Sequence, residues 1–240
     1  MGTHLESKQH VHEVFEKIAP KYDMMNDIIS FRRHKAWRKF TMRKMAIQPG
    51  QSSLDLCCGT ADWTIALAEA SQGGETVGLD FSRRMLDVGQ AKIDKLGMTD
   101  RIKLVEGNAM ELPFADNSFD YVTIGFGLRN VPDIDQVLRE MHRVAKPGGK
   151  VVCLELSKPT WQPFKGIYYF YFEKLLPLLG KWLVRRYEQY RWLPESLKLF
   201  PDLLQLSERF RTAGLKQVYA YPFFCGVAAL HIGTKGINNQ

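Results

Sequence analysis

The sequence predicts an α/β fold in which a parallel, doubly wound sheet is flanked by helices. Five strand-like runs alternate with helical stretches, which is the pattern of repeated strand–helix units. The first run leads into a tight turn with a single glycine, Gly59, and Asp80 and Asn108 follow the second and third runs. Sheets of this kind bind ligands at such strand ends. The five runs are SSLDLCC (52–58), ETVGLDF (75–81), IKLVEG (102–107), FDYVTIGFG (119–127) and KVVCLEL (150–156).

The segment before the sheet is predicted to be helical, so residues 1–48 are expected to form a cap on a domain that spans 49–240. Four apolar residues share one helix face before Pro20 ends that helix, namely Val11, Val14, Phe15 and Ile18. A second short helix is expected from Tyr22 to Ile29, and a third, strongly basic one from about His34 to Met45.

The second half of the chain completes the fold. A helix is expected over 132–145, closed by the turn KPGG. A mostly helical insertion rich in Tyr, Phe, Leu and Trp is expected over about 158–213. The runs at 215–224 and 227–235 predict a closing hairpin.

The composition of the chain excludes few classes of partner. A net charge of +7 is compatible with nucleic acid, anionic lipid or an acidic partner, and selects none of them. No apolar run approaches the ~20 residues of a membrane-spanning helix. The four cysteines form neither a C-x-x-C pair nor a disulfide framework, so no metal site is predicted. Buried free thiols favour a cytoplasmic location.

The glycine-poor turn in LDLCCGTADWT argues against a dinucleotide. A bound pyrophosphate needs several glycines so that backbone amides can approach it closely, and here Cys57 and Ala61 occupy two of those positions. A ligand without phosphates, S-adenosylmethionine (SAM), fits such a turn, with Gly59 leaving room for its methionine part. Asp55 is expected to reach the ammonium of SAM directly or through water, and Thr60 to offer a hydroxyl and an amide to its carboxylate.

Two further strand ends support SAM. Asp80 lies 21 residues after Gly59, where an acidic side chain pairs with ribose hydroxyls. Asn108 and Ala109 follow the third strand, beside the expected adenine position. Each residue alone also has an ordinary structural explanation, such as helix capping for Asp80. Three such features, which follow one another at successive strand ends, together predict a SAM site.

On these residues the chain resembles the class I SAM-dependent methyltransferases and, more narrowly, the menaquinone/ubiquinone biosynthesis C-methyltransferase family. The narrow match lies in YDMMNDIISFRRHKAW (22–37) and RVAKPGGKVVCLELS (143–157). The stretches CCGTADWT and GFGLRNVPD also look like the bacterial demethylmenaquinone members. The resemblance runs from about Val11 to Lys235. It implies a Rossmann-like fold with a mostly parallel seven-stranded sheet, N-terminal helices and a helical insertion before the last strands.

The resemblance also implies which residues bind the cofactor. The positions that carry over are Thr60, Asp80, Asn108 and Ala109. Gly125 lies at a further binding position, where ubiquinone-type members tend to have a small hydroxylated residue, and this departure mildly favours the menaquinone branch. Tyr22 fits the role of a lid over the methionine end of SAM.

The implied reaction is methylation of a ring carbon of demethylmenaquinol, an isoprenoid quinol, to give menaquinol in the last step of menaquinone biosynthesis. Carbon is a poor nucleophile unless an adjacent ring hydroxyl loses its proton. Arg129 cannot be the base because its guanidinium stays charged, but with Asn130 it is suited to stabilise a phenolate or hold a water. Asp23 and His34 are the candidate bases, with helix capping and packing as their alternative roles.

Several alternatives stay open. A polyprenyl benzoquinol of ubiquinone biosynthesis or another small molecule is an alternative methyl acceptor. A SAM-binding protein without catalysis and an NAD oxidoreductase are weaker alternatives, and no nucleic-acid-binding module is recognisable. The oligomeric state is also open, and the insertion is equally suited to a homodimer interface.

The basic helix and an aromatic run bear on the membrane. Seven Lys or Arg residues and no acidic residue lie within 32–44. They favour either a solvated helix face or transient docking on the anionic inner face of the cell membrane. The aromatic run Tyr168–Phe172 favours either plain core or a groove for the isoprenoid tail.

Overall fold

The computed structural model describes residue 19, residues 22–159, residue 166 and residues 196–237. The helix predicted over Val11–Ile18 and most of the insertion predicted over 158–213, with its aromatic run Tyr168–Phe172, lie outside these ranges. None of the helices within these ranges has both the length and the apolarity needed to cross a bilayer.

One seven-stranded sheet organises the described residues, with helices packed on it. The strands are β1 Ser53–Leu56, β2 Thr76–Asp80, β3 Ile102–Glu106, β4 Phe119–Gly125, β5 Ala145–Leu156, β6 Leu215–Phe223 and β7 Ala228–Lys235. The helices are α1 Tyr22–Ile29, α2 Arg33–Met45, α3 Asp62–Ser71, α4 Arg83–Lys95, α5 Ile134–Val144 and α6 Leu203–Thr212.

The strand order is β3-β2-β1-β4-β5-β7-β6. Strands β1 to β5 are parallel, and β7 runs antiparallel between β5 and β6. This confirms the predicted mostly parallel sheet and the closing hairpin. The chain winds outward from β1 to β3 and then returns to β4 on the other side of β1. Such a switch point opens a crevice at the carboxyl ends of the strands, which is where ligands bind in open α/β sheets.

The core lies on both faces of the sheet. On one face α5 buries Val137, Leu138, Met141 and Val144, which recur at helical spacing, and Phe210 of α6 joins them. On the other face Trp63 of α3 packs with Met45 and strand residues of β4, β5 and β7. Strands β1 and β2 are buried at every position, as expected of parallel strands covered on both faces, although both include polar residues such as Asp55 and Asp80.

Of the helices before the sheet, the two within the described residues are not equally attached to it. Met45, at the end of α2, is fully buried, and its carbonyl accepts a hydrogen bond of 2.9 Å from the Tyr121 hydroxyl of β4. In α1, Met25 is the buried residue. The predicted cap therefore contains one helix that shares the core of the sheet and one that lies more loosely on it.

Two details differ from the predictions. The KPGG segment does not end a helix but belongs to β5, which begins at Ala145 directly after α5. An irregularity between Phe119 and Tyr121 in the pairing of β4 with β5 accommodates it. The expectation of buried thiols is correct for Cys153 and wrong for Cys225, which is exposed in the hairpin turn.

Candidate active site

The turn after β1 has left-handed backbone at alternate positions. The φ angles are 51° at Cys57, 55° at Gly59 and 63° at Ala61. For residues with a Cβ this conformation costs roughly 1–2 kcal/mol each, yet two of the three positions carry one. The backbone angle alone therefore does not explain the glycine. A Cβ on Gly59 would lie 3.6 Å from Cε1 of Tyr22, so Gly59 leaves space beside that ring.

A cavity of about 290 Å³ lies beyond this turn at the carboxyl ends of the strands. That volume is near the lower end of the range for ligand pockets. Most of the lining is apolar or backbone, with few polar side chains. The lining residues are Tyr22, Cys57, Gly59, Leu79, Asp80, Phe81, Met85, Gly107, Asn108, Ala109, Met110, Gly125, Phe126, Gly127, Asn130, Val131 and Pro132.

Asp80 joins the end of β2 to the turn. One carboxylate oxygen accepts the backbone N–H of Gly59 at 2.8 Å, and the other accepts that of Ser82 at 2.9 Å. The residue is 5% exposed and faces the cavity. A carboxylate offers about four lone-pair sites, so it can accept more hydrogen bonds than these two.

The segment after β3 forms a second wall. Asn108 is exposed at the cavity, and its side-chain oxygen accepts the N–H of Met110 at 3.0 Å. Ala109 is buried beside it. The asparagine side chain fixes this turn, and the small alanine lets the backbone line the cavity closely.

Gly125, at the end of β4, lies directly on the ring of Trp63. A Cβ at this position would approach Cε3 of Trp63 to 2.6 Å. Trp63 is itself buried, and its indole nitrogen contacts the sulfur of Met42 at 3.1 Å. The indole thus fills the space that a larger residue at position 125 would need.

Tyr22 closes the cavity from the cap. Its ring stands over Gly59, and the charges of Arg129, Asp80 and Glu155 all act on its phenol. Burial raises the pKa of Tyr22 above its usual value, against the opposing effects of a hydrogen bond from Asn26 and the charge of Arg129. The phenol is therefore protonated at neutral pH.

Asp55 lies in β1 beneath the turn and is not among the residues that line the cavity. Its two carboxylate oxygens accept hydroxyls from Thr64 and Thr123, each at 2.8 Å. Burial raises the pKa of Asp55 to about 6, although both hydrogen bonds act to lower it. In this structure the Asp55 carboxylate joins α3 to β4 through these two threonines. The expected contact with the ammonium of SAM stays a prediction.

Thr60 and Asp23 meet in a charged cluster outside the cavity lining. We call it the lid cluster, and its members are Asp23, Arg38, Thr60, Asp62 and Lys92. The Thr60 hydroxyl donates to Asp23 at 2.6 Å and accepts from the Lys92 ammonium at 3.0 Å. Since its hydroxyl is held in this way, the Thr60 amide is the group that remains to meet a carboxylate as predicted.

Arg129 forms a buried ion pair with Glu155. The Nη1 atom of Arg129 lies 2.7 Å from Oε1 of Glu155 and 2.5 Å from the carbonyl of Phe126. The other oxygen of Glu155 accepts the backbone N–H of Arg129 at 3.2 Å. The exposed fractions of the two side chains are 10% and 1%. Nε of Arg129 is buried without a hydrogen-bond partner among the described residues.

His34 does not face the cavity. Its Nδ1 lies 2.6 Å from the Ser30 hydroxyl, and its Nε2 lies 3.6 Å from Asp27. Burial and the charge of Arg38 lower its pKa, although Asp27 opposes this. These contacts give His34 the structural role of joining α1 to α2.

Comparison with known proteins decides the family. The ubiE/COQ5 methyltransferase family model matches residues 3–235. The chain belongs to the ubiE/COQ5 methyltransferase family. Two relatives named demethylmenaquinone methyltransferase, from Bacillus cereus strain B4264 and Bacillus cytotoxicus, are 58% and 57% identical over 229 residues. Each alignment covers 95% of this chain and 96% of the relative.

Solved structures agree with the fold of this family. A SAM-dependent methyltransferase from Thermotoga maritima has a TM-score of 0.66 at 17% identity, over 94% of this chain and all of that one. One from Aquifex aeolicus has a TM-score of 0.60 at 15% identity, over 82% and 88% of the two chains. The Rossmann-like class I methyltransferase fold and SAM as the methyl donor, both predicted from the sequence, are confirmed.

The cavity of this family member fits SAM. Asp80 presents carboxylate oxygens, Asn108 and Ala109 present a polar side chain and backbone, and Gly59 leaves open space against Tyr22. Ala61 occupies the position before α3 and has no side chain with which to cap it. The first amides of α3 therefore receive no side-chain cap from Ala61, and the N-terminus of a helix favours an anion such as the carboxylate of SAM.

Two charged residues that contact candidate site residues are not singled out by the sequence alone. Glu155 was noted only as part of a matching motif, and its ion pair with Arg129 depends on β4 and β5 being neighbours. Lys92 lies in a helix whose sequence looks like an ordinary solvated helix. The available signal was the position of Glu155 at the end of a buried strand, where a carboxylate requires a partner.

Proposed function

We propose that this protein transfers the methyl group of SAM to a ring carbon of demethylmenaquinol, producing menaquinol. The observation that carries the proposal is 57–58% identity, over nearly the full length, to relatives named demethylmenaquinone methyltransferase. A mostly apolar cavity at the SAM position of the fold supports it, because a quinol ring and its tail are apolar.

The cofactor contacts are assigned as follows. Asp80 binds the ribose hydroxyls, Asn108 and Ala109 border the adenine, and the Thr60 amide meets the carboxylate. Tyr22 covers the methionine end beside Gly59 and Gly125. Bound SAM supplies an electrophilic methyl on a positively charged sulfur. The positive sulfonium and the negative phenolate lose charge as the transition state forms. An apolar cavity therefore favours the transfer more than water does.

Arg129 and Asn130 are assigned to the acceptor. Asn130 lines the cavity, and Arg129 is anchored to the carbonyl of Phe126, another lining residue. A fixed guanidinium beside the quinol hydroxyl lowers the pKa of that hydroxyl and stabilises the phenolate, which raises the electron density on the ring carbon. Glu155 positions the guanidinium and compensates its charge.

Water is the proton acceptor that this arrangement favours. Asp23 was a candidate base, but its two carboxylate oxygens contact Thr60 and Lys92, away from the cavity lining. His34 is engaged by Ser30 and Asp27. We therefore propose that Arg129 acidifies the quinol hydroxyl, whose proton leaves to solvent. The ring carbon then takes the methyl group as its bond to the sulfur breaks and S-adenosylhomocysteine forms. Loss of the hydrogen on that carbon as a proton and return of a proton to the ring oxygen restore the aromatic quinol.

A polyprenyl benzoquinol is the second candidate acceptor. Gly125 packed on Trp63 departs from the hydroxylated residue expected of ubiquinone-type members and favours the naphthoquinol. The test compares kcat/KM for short-tailed demethylmenaquinol and for the matching benzoquinol. At least a tenfold preference for the naphthoquinol is expected, and equal rates or a preference for the benzoquinol would overturn the assignment.

The substrate tail leads us to propose that α2 docks on anionic lipid. Five of its basic residues are exposed, and Lys35 pairs with Asp27. The other four have no ion pair among the described residues, namely Arg33, Lys39, Arg43 and Lys44. Phe31, 72% exposed, lies next to this face. Each cation near an anionic surface contributes ~1 kcal/mol.

Vesicles containing phosphatidylglycerol test the docking. The double variant Lys39→Glu/Arg43→Glu is expected to bind them at least tenfold more weakly than the unsubstituted protein, and added salt to weaken the latter. Lys95→Glu/Lys103→Glu is the matched control, because it changes the net charge equally on α4 and β3. Equal losses in both variants, or no binding by the unsubstituted protein, would contradict docking through α2. The oligomeric state, which the sequence leaves open, is a separate question, and light scattering distinguishes a monomer from a homodimer.

A further inference from the structure

Lys92 joins four parts of the molecule at one ammonium group. Its Nζ lies 2.5 Å from Asp23 of α1, 2.7 Å from Asp62 of α3 and 3.0 Å from the hydroxyl of Thr60 in the turn. Arg38 of α2 reaches the other oxygen of Asp62 at 3.3 Å. Lys92 itself projects from α4, so the lid cluster ties both cap helices to the domain that holds the cavity.

The position of Asp23 connects the lid cluster to the cavity. Asp23 follows Tyr22, the residue that stands over Gly59 and lines the cavity. In α1, Met25 is the buried residue, whereas Met24 is 49% exposed. Apolar burial therefore anchors this helix only lightly, and the polar contacts of Asp23 carry much of the attachment.

We propose that Lys92 is a positioning residue that holds α1 closed over bound SAM through its ion pair with Asp23. The inference rests on SAM being the ligand of the cavity. SAM must pass Tyr22 to enter or leave beside the turn, so the strength of the lid cluster sets the exchange rate of SAM and of S-adenosylhomocysteine. Asp23 thereby acts as part of the lid rather than as a base.

The exposure of the cluster suits a contact that opens repeatedly. Side-chain exposed fractions are 26% for Lys92, 42% for Asp23 and 34% for Asp62. Ion pairs that water and salt can reach are modest in strength, although several around one charge support each other. Burial acts to raise the pKa of Asp62, but Lys92 and Arg38 outweigh it and the pKa lies below its usual value. The Asp62 carboxylate consequently stays charged at neutral pH.

A double-mutant cycle tests the lid. The variants are Lys92→Met, Asp23→Asn and both together, with Lys95→Met as a matched control on the exposed side of the same helix. The dissociation rate of S-adenosylhomocysteine, followed by stopped-flow tryptophan fluorescence, is expected to rise about tenfold in each single variant and no further in the double variant. The control is expected to leave the rate unchanged. Additive effects in the double variant, or unchanged rates, would overturn the proposal.

Two further readouts separate a lid from a direct effect through Thr60. Hydrogen exchange of the α1 amides, measured without ligand, is expected to speed up in Lys92→Met while that of β1 and β2 stays constant. KM for SAM is expected to rise with kcat retained at saturating SAM. Unchanged exchange in α1 would overturn the lid. Failure of the unsubstituted protein to bind SAM would instead overturn the cofactor assignment.

Discussion

At the scale of single residues, the turn after β1 shows why one glycine is enough. Cys57 and Ala61 adopt left-handed backbone despite their Cβ atoms, so the special position of Gly59 is defined by its surroundings. Tyr22 lies 3.6 Å from where a Cβ would be, at the cavity wall. The sequence indicated that Gly59 provides space, but not that a residue 37 positions earlier borders it, because that depends on how the cap folds back.

Gly59→Ala is expected to weaken SAM binding at least tenfold, because its methyl group would stand between two residues that line the cavity. Calorimetric titration measures the affinity. Gly50→Ala is the matched control, since Gly50 also has a positive φ, 83°, but nothing within 4 Å of a Cβ. Both variants are expected to lose about 1–2 kcal/mol of stability from backbone strain. A comparable loss of SAM affinity in both would contradict the spatial role of Gly59.

The stability of the variant Asp55→Asn, relative to that of the unsubstituted protein, is expected to increase as the pH rises. Burial raises the pKa of Asp55 from its ordinary value of 3.8 to about 6 in the folded protein. The folded state therefore keeps this proton to higher pH than the unfolded state. The stabilisation is complete below about pH 4 and is lost as pH rises through 6. Asparagine does not ionise.

Urea unfolding at pH 4 and pH 7.5 measures this effect. The stability difference between Asp55→Asn and the unsubstituted protein is expected to shift towards the variant by roughly 2–3 kcal/mol over that range. Asp100→Asn, an exposed position, is the control and should show no such shift. A constant difference between the two pH values would show that Asp55 ionises normally.

At the scale of elements, the ends of neighbouring strands build the acceptor side. The chain places Arg129 after β4 and Glu155 at the end of β5, 26 residues apart. The sequence marked both strands and singled out Arg129, but pairing the two side chains requires the register Gly125↔Leu154. Sequence patterns predict that strands exist more readily than they predict which strands are neighbours. For the same reason the KPGG segment was predicted to be a turn although it starts β5.

Arg129→Lys is expected to lower kcat at least 100-fold while SAM affinity stays within a factor of two. Lysine retains the charge but lacks the planar guanidinium whose Nη1 donates to both Glu155 and the Phe126 carbonyl, so its ammonium does not hold the same position. Arg139→Lys on the exposed side of α5 is the control and should keep full activity. Steady-state kinetics with demethylmenaquinol decides the matter, and a kcat within threefold of normal would exclude a role for the guanidinium.

At the scale of the whole molecule, the alternation of strands and helices was enough to predict the sheet, because strands covered by helices on both faces are rich in apolar residues even where a polar residue such as Asp55 is buried. The boundary between the cap and the domain was harder to predict from the sequence. Residues 1–48 are predicted to form a helical cap, and Met45 of this segment belongs to the same apolar cluster as Trp63 and Leu230. The packing of α2 against the sheet is hard to predict because most of its side chains are basic or exposed and only a few face the core.

Met45→Ala is expected to destabilise the protein by about 2–5 kcal/mol, because it leaves a cavity at a fully buried position. Met24→Ala, at a half-exposed position, should change stability by no more than about 0.5 kcal/mol. Urea unfolding followed by far-UV circular dichroism measures both, and the loss should appear in a single transition. If Met45→Ala instead unfolded the cap separately, with the sheet unaffected, residues 1–48 would be an independent unit.

The central claim is that the cavity directs a methyl group from SAM to a ring carbon. The most direct measurement incubates the protein with SAM that carries ¹³C in its methyl group and with short-tailed demethylmenaquinol kept reduced. Carbon NMR of the product is expected to show the label as a methyl on the naphthoquinone ring. A methoxy signal, or tight SAM binding without any transfer, would contradict the account.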